Sequence, residues 1–196
     1  MLLKRKLYIL FSSGKHVSAL EIPHFTRIVA DSDFDGLCGA AILKKYSPEA
    51  DIIFSHAAQI RNGSMDDYIN DETVIVDLPF HQKCGWYLDH HQTNRPTDKQ
   101  SIEFEQNGGV IDWQPTPSAA RLAYERVKPY ADLANFVDIM PFVDALDSGG
   151  ITLQEFVEDG ELMCFSRTLS QTEPEYMLDI VNMLAAGSTI DEIMTL

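Results

Sequence analysis

The sequence predicts an α/β domain: a largely parallel β-sheet flanked by helices. Two observations carry this. Apolar, β-branched or aromatic runs alternate along the chain with segments of helical period. Three of those runs end in aspartate or histidine, as strands do when their carboxyl ends share one edge of an open sheet. The 196 residues contain no repeat, low-complexity block or Gly/Ser linker, which suits a single domain. We assign residues 1–172 to that domain and 173–196 to a helical C-terminal segment.

The elements follow in order. Leu7 to Phe11 reads as a short N-terminal strand. TRIVA (26–30) is a β-branched strand leading into DSDFDG (31–36). Residues 36–47 place Leu37, Ala40, Ala41 and Leu43 at helical spacing, and Pro48 stops that helix. ADIIFSHA (50–57), ETVIVDLPF (72–80) and CGWYLDHH (84–91) read as strands. MDDYIN (65–70) between them is a short helix or turn. Residues 94–109 are polar and turn-rich, and we expect a surface loop with at most a short strand. Residues 116–130 form a helix capped by Ser118. Residues 135–150 are mostly apolar and helical, and 173–187 and 188–196 close the chain as helices.

Composition narrows the function. Fifteen Lys+Arg against thirty Asp+Glu give a formal charge of −15. Such a surface disfavours tight, sequence-independent DNA binding, which needs cations to neutralise phosphates. It leaves room for a small phosphorylated substrate or a short single-stranded oligonucleotide held through metal ions. Cys38, Cys84 and Cys164 are far apart and odd in number, so we expect a reducing, cytoplasmic setting without disulfides. No run approaches the roughly 20 apolar residues of a membrane span, and the apolar stretch after the basic N-terminus is too short for a signal-peptide core.

The acids raise the functional question. Asp31, Asp33 and Asp35 follow the first internal strand, Asp77 follows Val74–Val76, and Asp89, His90 and His91 follow Trp86–Leu88. Each piece alone has a plain explanation: an acidic cap before a helix, a turn aspartate, a surface histidine pair. DSDFDG also resembles the start of a calcium loop, but position twelve counted from Asp31 is Ile42 rather than a glutamate. Brought together at one sheet edge, the carboxylates would repel and raise one another's pKa unless cations lay between them. Oxygen and imidazole donors without thiolate suit Mn²⁺ or Mg²⁺. A pair of such ions can clamp a phosphoryl group.

Read together, these residues resemble the DHH phosphoesterase superfamily. DSDFDG looks like its first motif and VIVDLPF its second. Asp89-His90-His91 is similar to its signature, and SAARL (118–122) to the helix that follows. FVDALDS, with Asp144 and Asp147, looks like its fourth motif. The resemblance spans roughly residues 26–150 in the family's order. It implies a metal-dependent phosphohydrolase of the phosphodiesterase or exonuclease kind with two Mn²⁺ ions, Mg²⁺ being the alternative. Asp31 and Asp33 would serve the first ion, and Asp35, His90 and Asp144 the second, with Asp77 bridging. His91 would stand beside the scissile phosphate as the catalytic partner of Asp77, and Asp89 would orient a histidine. Asp144 follows the apolar segment Met140–Val143 as that motif does, and Asp147 is the other candidate. Residues 1–172 would then be the catalytic domain and 173–196 a connector to a substrate-binding domain. The family's glycine-rich, histidine-bearing grip has no counterpart beyond Gly108-Gly109 and Gly149-Gly150. Many relatives carry a histidine where this chain has Val29, and Asp31 takes its place. A manganese-dependent inorganic pyrophosphatase, or a regulatory module that binds nucleotide or metal without turnover, is the alternative function.

Among the remaining residues, His81 and Cys84 are expected to be a loop pair rather than a metal site. Arg61, Arg95 and Arg121 are either surface charges or phosphate contacts. Trp86 and Tyr87 are expected in the core, and Trp113 is the better candidate for stacking on a base.

Overall fold

A computed structural model describes residues 21–169 and 174–195. The strand expected at 7–11 lies outside them. Five strands, β1 (Arg27–Asp31), β2 (Asp51–Ser55), β3 (Thr73–Val76), β4 (Trp86–Asp89) and β5 (Val110–Trp113), form one all-parallel sheet in the order β2-β1-β3-β4-β5. The predicted α/β class is therefore observed. Strand order reverses between β1 and β3, and in such sheets the crevice beyond the carboxyl ends at that point is where ligands bind.

Both faces of the sheet are buried, and the pleat sorts its residues. Ile28, Ala30, Val74, Val76, Trp86 and Leu88 face the larger core; Val29, Ile75 and Tyr87 face the smaller one. The nine helices of the described residues are α1 (Phe34–Tyr46), α2 (Ala57–Arg61), α3 (Asp98–Gln106), α4 (Ala119–Val127), α5 (Met140–Asp147), α6 (Leu153–Glu158), α7 (Glu161–Leu169), α8 (Pro174–Ala186) and α9 (Ile190–Met194). α1 is buried along its first ten residues and packs against the sheet, α4 and α8. Met177, Ile180, Val181 and Leu184 of α8 belong to that same core.

Several local expectations differ from what is found. Residues 94–109 hold α3 and lead into β5, rather than being a loop. Thr97 and Gln100 cap α3 reciprocally, side chain to backbone in both directions, and Phe104 is its one buried anchor. Residues 56–61, partly read as strand, turn at His56 into α2. Residues 65–68 form a turn, one of the two expected forms, whereas α6 and α7 occupy a stretch that had no assignment. Ser118 does cap its helix, accepting from the Arg121 amide. Gly36 sits inside the first turn of α1. A Cβ there would lie 2.3 Å from the Asp31 carbonyl oxygen, so glycine is required for close approach.

Candidate metal centre

The carboxyl ends of β1, β3 and β4 converge beside the start of α4 and the end of α5. Asp35, in the first turn of α1, is buried, and its two carboxylate oxygens accept from the amides of Ala119 and Ala120 at 2.7 Å each. The positive end of α4 thus holds an anion in place. Even so, burial and the neighbouring Asp33 and Asp147 push the Asp35 carboxyl up to about 8.

Asp77 takes φ = 60°, the left-handed region that a non-glycine residue enters at a cost of order 1–3 kcal/mol. The turn comes directly after β3 and buries the carboxyl beside both histidines, Oδ1 lying 3.8 Å from His90 Nε2 and 3.4 Å from His91 Nδ1. Burial, and then Asp35, Asp33, Asp147 and Asp89 around it, hold its pKa well above the carboxylate range.

His90 donates from Nδ1 to the Thr116 carbonyl at 2.9 Å, which leaves Nε2 to face the acids. That Nε2 is 2.9 Å from Asp147 Oδ2 and 3.7 Å from Asp35 Oδ2. Burial alone would lower the imidazole pKa; Asp147, Asp35 and the Thr116 carbonyl outweigh it and raise it to about 9.

Asp89 works differently. It is fully buried, and its Oδ1 accepts from the His90 and His91 amides and lies 3.0 Å from His91 Nδ1. Its Oδ2 accepts from the Tyr87 hydroxyl at 2.7 Å. Burial would raise this carboxyl, yet these hydrogen bonds hold it below the usual range. The Asp89 contact in turn raises the His91 pKa. Tyr87 is a core residue as expected, and its hydroxyl also braces the site.

Asp31 and Asp33 flank this cluster. Asp33 caps α1 through the Gly36 amide at 2.9 Å. Asp31 accepts from the Ser32 amide at 2.7 Å, and desolvation with Asp33 beside it raises its pKa to about 6. His56, which the sequence reading passed over, stands 3.6 Å from Asp31 Oδ1 and 2.7 Å from Ser32 Oγ. The register of β1 against β2 places it there, and no local motif signals that.

The fourth-motif acids separate. Asp144 accepts from Ser118 Oγ at 2.7 Å and from Arg121 at 3.0 and 2.5 Å, so both of its oxygens are already engaged. Asp147, one turn later on α5, is the acid that reaches His90. Arg121 is paired with Asp144, and His81 stands 3.1 Å from Asp66.

Ligand atoms of Asp77, Asp89, His90 and His91 lie within 4.8 Å of one another, as do those of Asp35, His90 and Asp147. Asp77 Oδ1, His90 Nε2 and Asp147 Oδ2 are buried and, apart from the ion-pair contacts within this cluster, have no hydrogen-bond partner. Buried ligand atoms that have only one another as partners, all oxygen and imidazole, fit a divalent cation of the manganese or magnesium type.

Among the described residues, no helix is long and apolar enough to cross a membrane. No family model matches the chain, and no curated protein matches it. Among solved structures it is similar to the pGpG-specific phosphodiesterase PggH from Vibrio cholerae, at 25% identity and a TM-score of 0.69. The match covers 87% of this chain and 55% of that one, so this chain spans little more than half the length of the protein it resembles.

Proposed function

We propose that this chain is a DHH-type phosphoesterase domain that hydrolyses a phosphodiester bond in a small linear dinucleotide with the help of two divalent cations, Mn²⁺ in the first instance. The convergence of three buried atoms of Asp77, His90 and Asp147, whose polar contacts lie within the cluster itself, at the switch point of the sheet carries this reading. The likeness to a phosphodiesterase acting on pGpG supports the substrate class.

Asp31 and Asp33 would hold one ion, and Asp35, His90 and Asp147 the other, with Asp77 between them. Asp147 takes the role that the sequence reading gave to Asp144, because α5 turns Asp144 toward Arg121. When bound, such ions polarise phosphoryl oxygens and lower the pKa of an attacking water. The chain's own residues do the rest. Asp89 and Tyr87 fix the His91 ring, whose raised pKa keeps a proton available for the leaving oxygen or for charge on the phosphate. The Thr116 carbonyl fixes the His90 tautomer. The Ala119 and Ala120 amides hold Asp35 in position beside them.

The test is turnover of pGpG and bis-p-nitrophenyl phosphate by purified protein with Mn²⁺, beside Asp77→Ala. The proposal expects hydrolysis that the substitution abolishes. Activity surviving in Asp77→Ala, or no turnover by a protein that does bind Mn²⁺, would refute it.

A further inference from the structure

The acidic chain has six described arginines, and four are spent on carboxylates: Arg27 on Asp51, Arg121 on Asp144, Arg126 on Asp112 and Arg167 on Asp159. Among the described residues, Arg61 and Arg95 have no carboxylate within ion-pair distance. Both are exposed, and both meet the short turn Gln92–Asn94 that directly follows His91: Arg95 closes it, and Arg61 reaches it from the end of α2.

That turn is anchored to the site. The His91 carbonyl accepts from the Asn94 amide at 3.2 Å and from Trp113 Nε1 at 3.0 Å. The Asn94 carbonyl lies 3.1 Å from the Tyr87 hydroxyl that also reaches Asp89. Arg61 donates to Asn94 Oδ1 at 3.0 Å. Arg95 closes the turn, and its guanidinium lies over the Trp113 ring at 4.6 Å from the centroid. A small cavity of about 120 Å³ opens beside it, lined by Arg95, Pro96, Asp98, Ser101, Ile111 and Trp113. Asp98 lines that cavity but forms no ion pair with Arg95. It lies in the first turn of α3, where a carboxylate is stabilised by the helix.

A guanidinium stacked on an indole loses little further freedom on binding and keeps its forked N–H edge outward. Arg95 on its indole and Arg61 on Asn94 are two guanidinium groups without a carboxylate partner, meeting the turn that follows His91 in a chain with a formal charge of −15, and forked donors of this kind suit a phosphate.

We propose that Arg95, held on Trp113, and Arg61 across the turn bind a second phosphate of the substrate, one beyond the bond that is cut, and so select linear dinucleotides that carry a terminal phosphate. This rests on the phosphodiesterase reading above and adds the residues that set its specificity. Trp113, the residue flagged for stacking on a base, here carries an arginine instead.

The experiment has two arms. In the first, KM is measured with Mn²⁺ for a 5′-phosphorylated dinucleotide and for the same dinucleotide without its terminal phosphate. The wild type should prefer the former, and Arg95→Gln or Arg61→Gln should shrink that preference about tenfold or more, as the loss of one charged hydrogen-bond partner implies. A preference that stays at the wild-type value in both variants overturns the proposal. The second arm needs no turnover. The Trp113 indole N–H signal of metal-free protein is followed by NMR at low salt as inorganic pyrophosphate is added, with buried Trp86, the other tryptophan, as internal control. A saturable shift of Trp113 alone, lost in Arg95→Gln, supports the subsite, and no shift overturns it. If Arg95→Gln fails to fold, Arg61→Gln, at an exposed position, decides the same question. Failure to hydrolyse any diester, with the Trp113 shift intact, would remove the catalytic reading and leave the subsite standing.

Discussion

His90 Nε2 and Asp147 Oδ2 stand 2.9 Å apart, a buried ion pair in which neither atom has a hydrogen-bond partner outside the cluster. Asp144, three residues earlier on α5, is held by Ser118 and Arg121. Asp147→Asn should therefore weaken Mn²⁺ binding by at least about tenfold, the scale on which even groups supporting a ligand matter. Asp144→Asn should leave that affinity within a few-fold and cost stability instead, about 1 kcal/mol for a partly exposed ion pair. Isothermal titration calorimetry of both variants decides between them, and the reverse pattern would return Asp144 to the site.

The ion-free protein should grow less stable as pH rises. Asp35 is pushed up from 3.8 to about 8 and His90 from 6.5 to about 9. Both groups bind a proton more tightly folded than unfolded, so their contribution is full at low pH. It is lost between about 4 and 8 for Asp35 and between about 6.5 and 9 for His90. Thermal midpoints in EDTA should fall from pH 5 to pH 8.5. Saturating Mn²⁺ should raise the midpoint most at the upper end. A midpoint in EDTA that climbs over this range would show that the site acids are not paired as described.

Tyr87→Phe keeps the ring in its core position and removes the hydroxyl donated to Asp89. A buried carboxylate that loses a hydrogen bond of this kind costs about 1.5–3 kcal/mol. Urea denaturation should show that loss. Because Asp89 orients His91, the activity profile should also shift along the pH axis rather than merely drop in height. A variant with wild-type stability and profile would assign Tyr87 to packing alone.

Gly36→Ala should be among the most damaging single-methyl changes in the chain. The added carbon meets the Asp31 backbone at 2.3 Å, and backbone yields less readily than a side-chain tip. We expect a loss of about 1–3 kcal/mol or more, together with weaker metal binding, because the strain falls between Asp31 and Asp35. Circular dichroism melts and calorimetry on one preparation would report both.

The strand ends were legible because parallel strands buried on both faces are continuous apolar runs, and an acid that closes such a run stands out. Asp31, Asp77 and Asp89-His90-His91 could be placed at one edge on that ground. The choice between Asp144 and Asp147 depends on the phase of α5, which sequence order alone does not reveal. β5 and α3 escaped because β5 is a four-residue, half-buried edge strand interrupted by Asp112, and a single buried residue, Phe104, anchors the helix. The capping pair Thr97 and Gln100 was the available signal. The grip of Asp35 on the Ala119 and Ala120 amides joins positions more than eighty residues apart, and no local pattern announces it.

That grip has an evolutionary consequence. Asp35 holds the amino end of α4 through two backbone amides, so it serves the architecture as well as its proposed place at a metal ion. Asp31, on the flank, has only Ser32 and His56 to satisfy. A descendant that gave up hydrolysis and kept the scaffold should lose Asp31 early and retain Asp35. In such lineages an intact aspartate at position 35 would be a mark of ancestry rather than of activity.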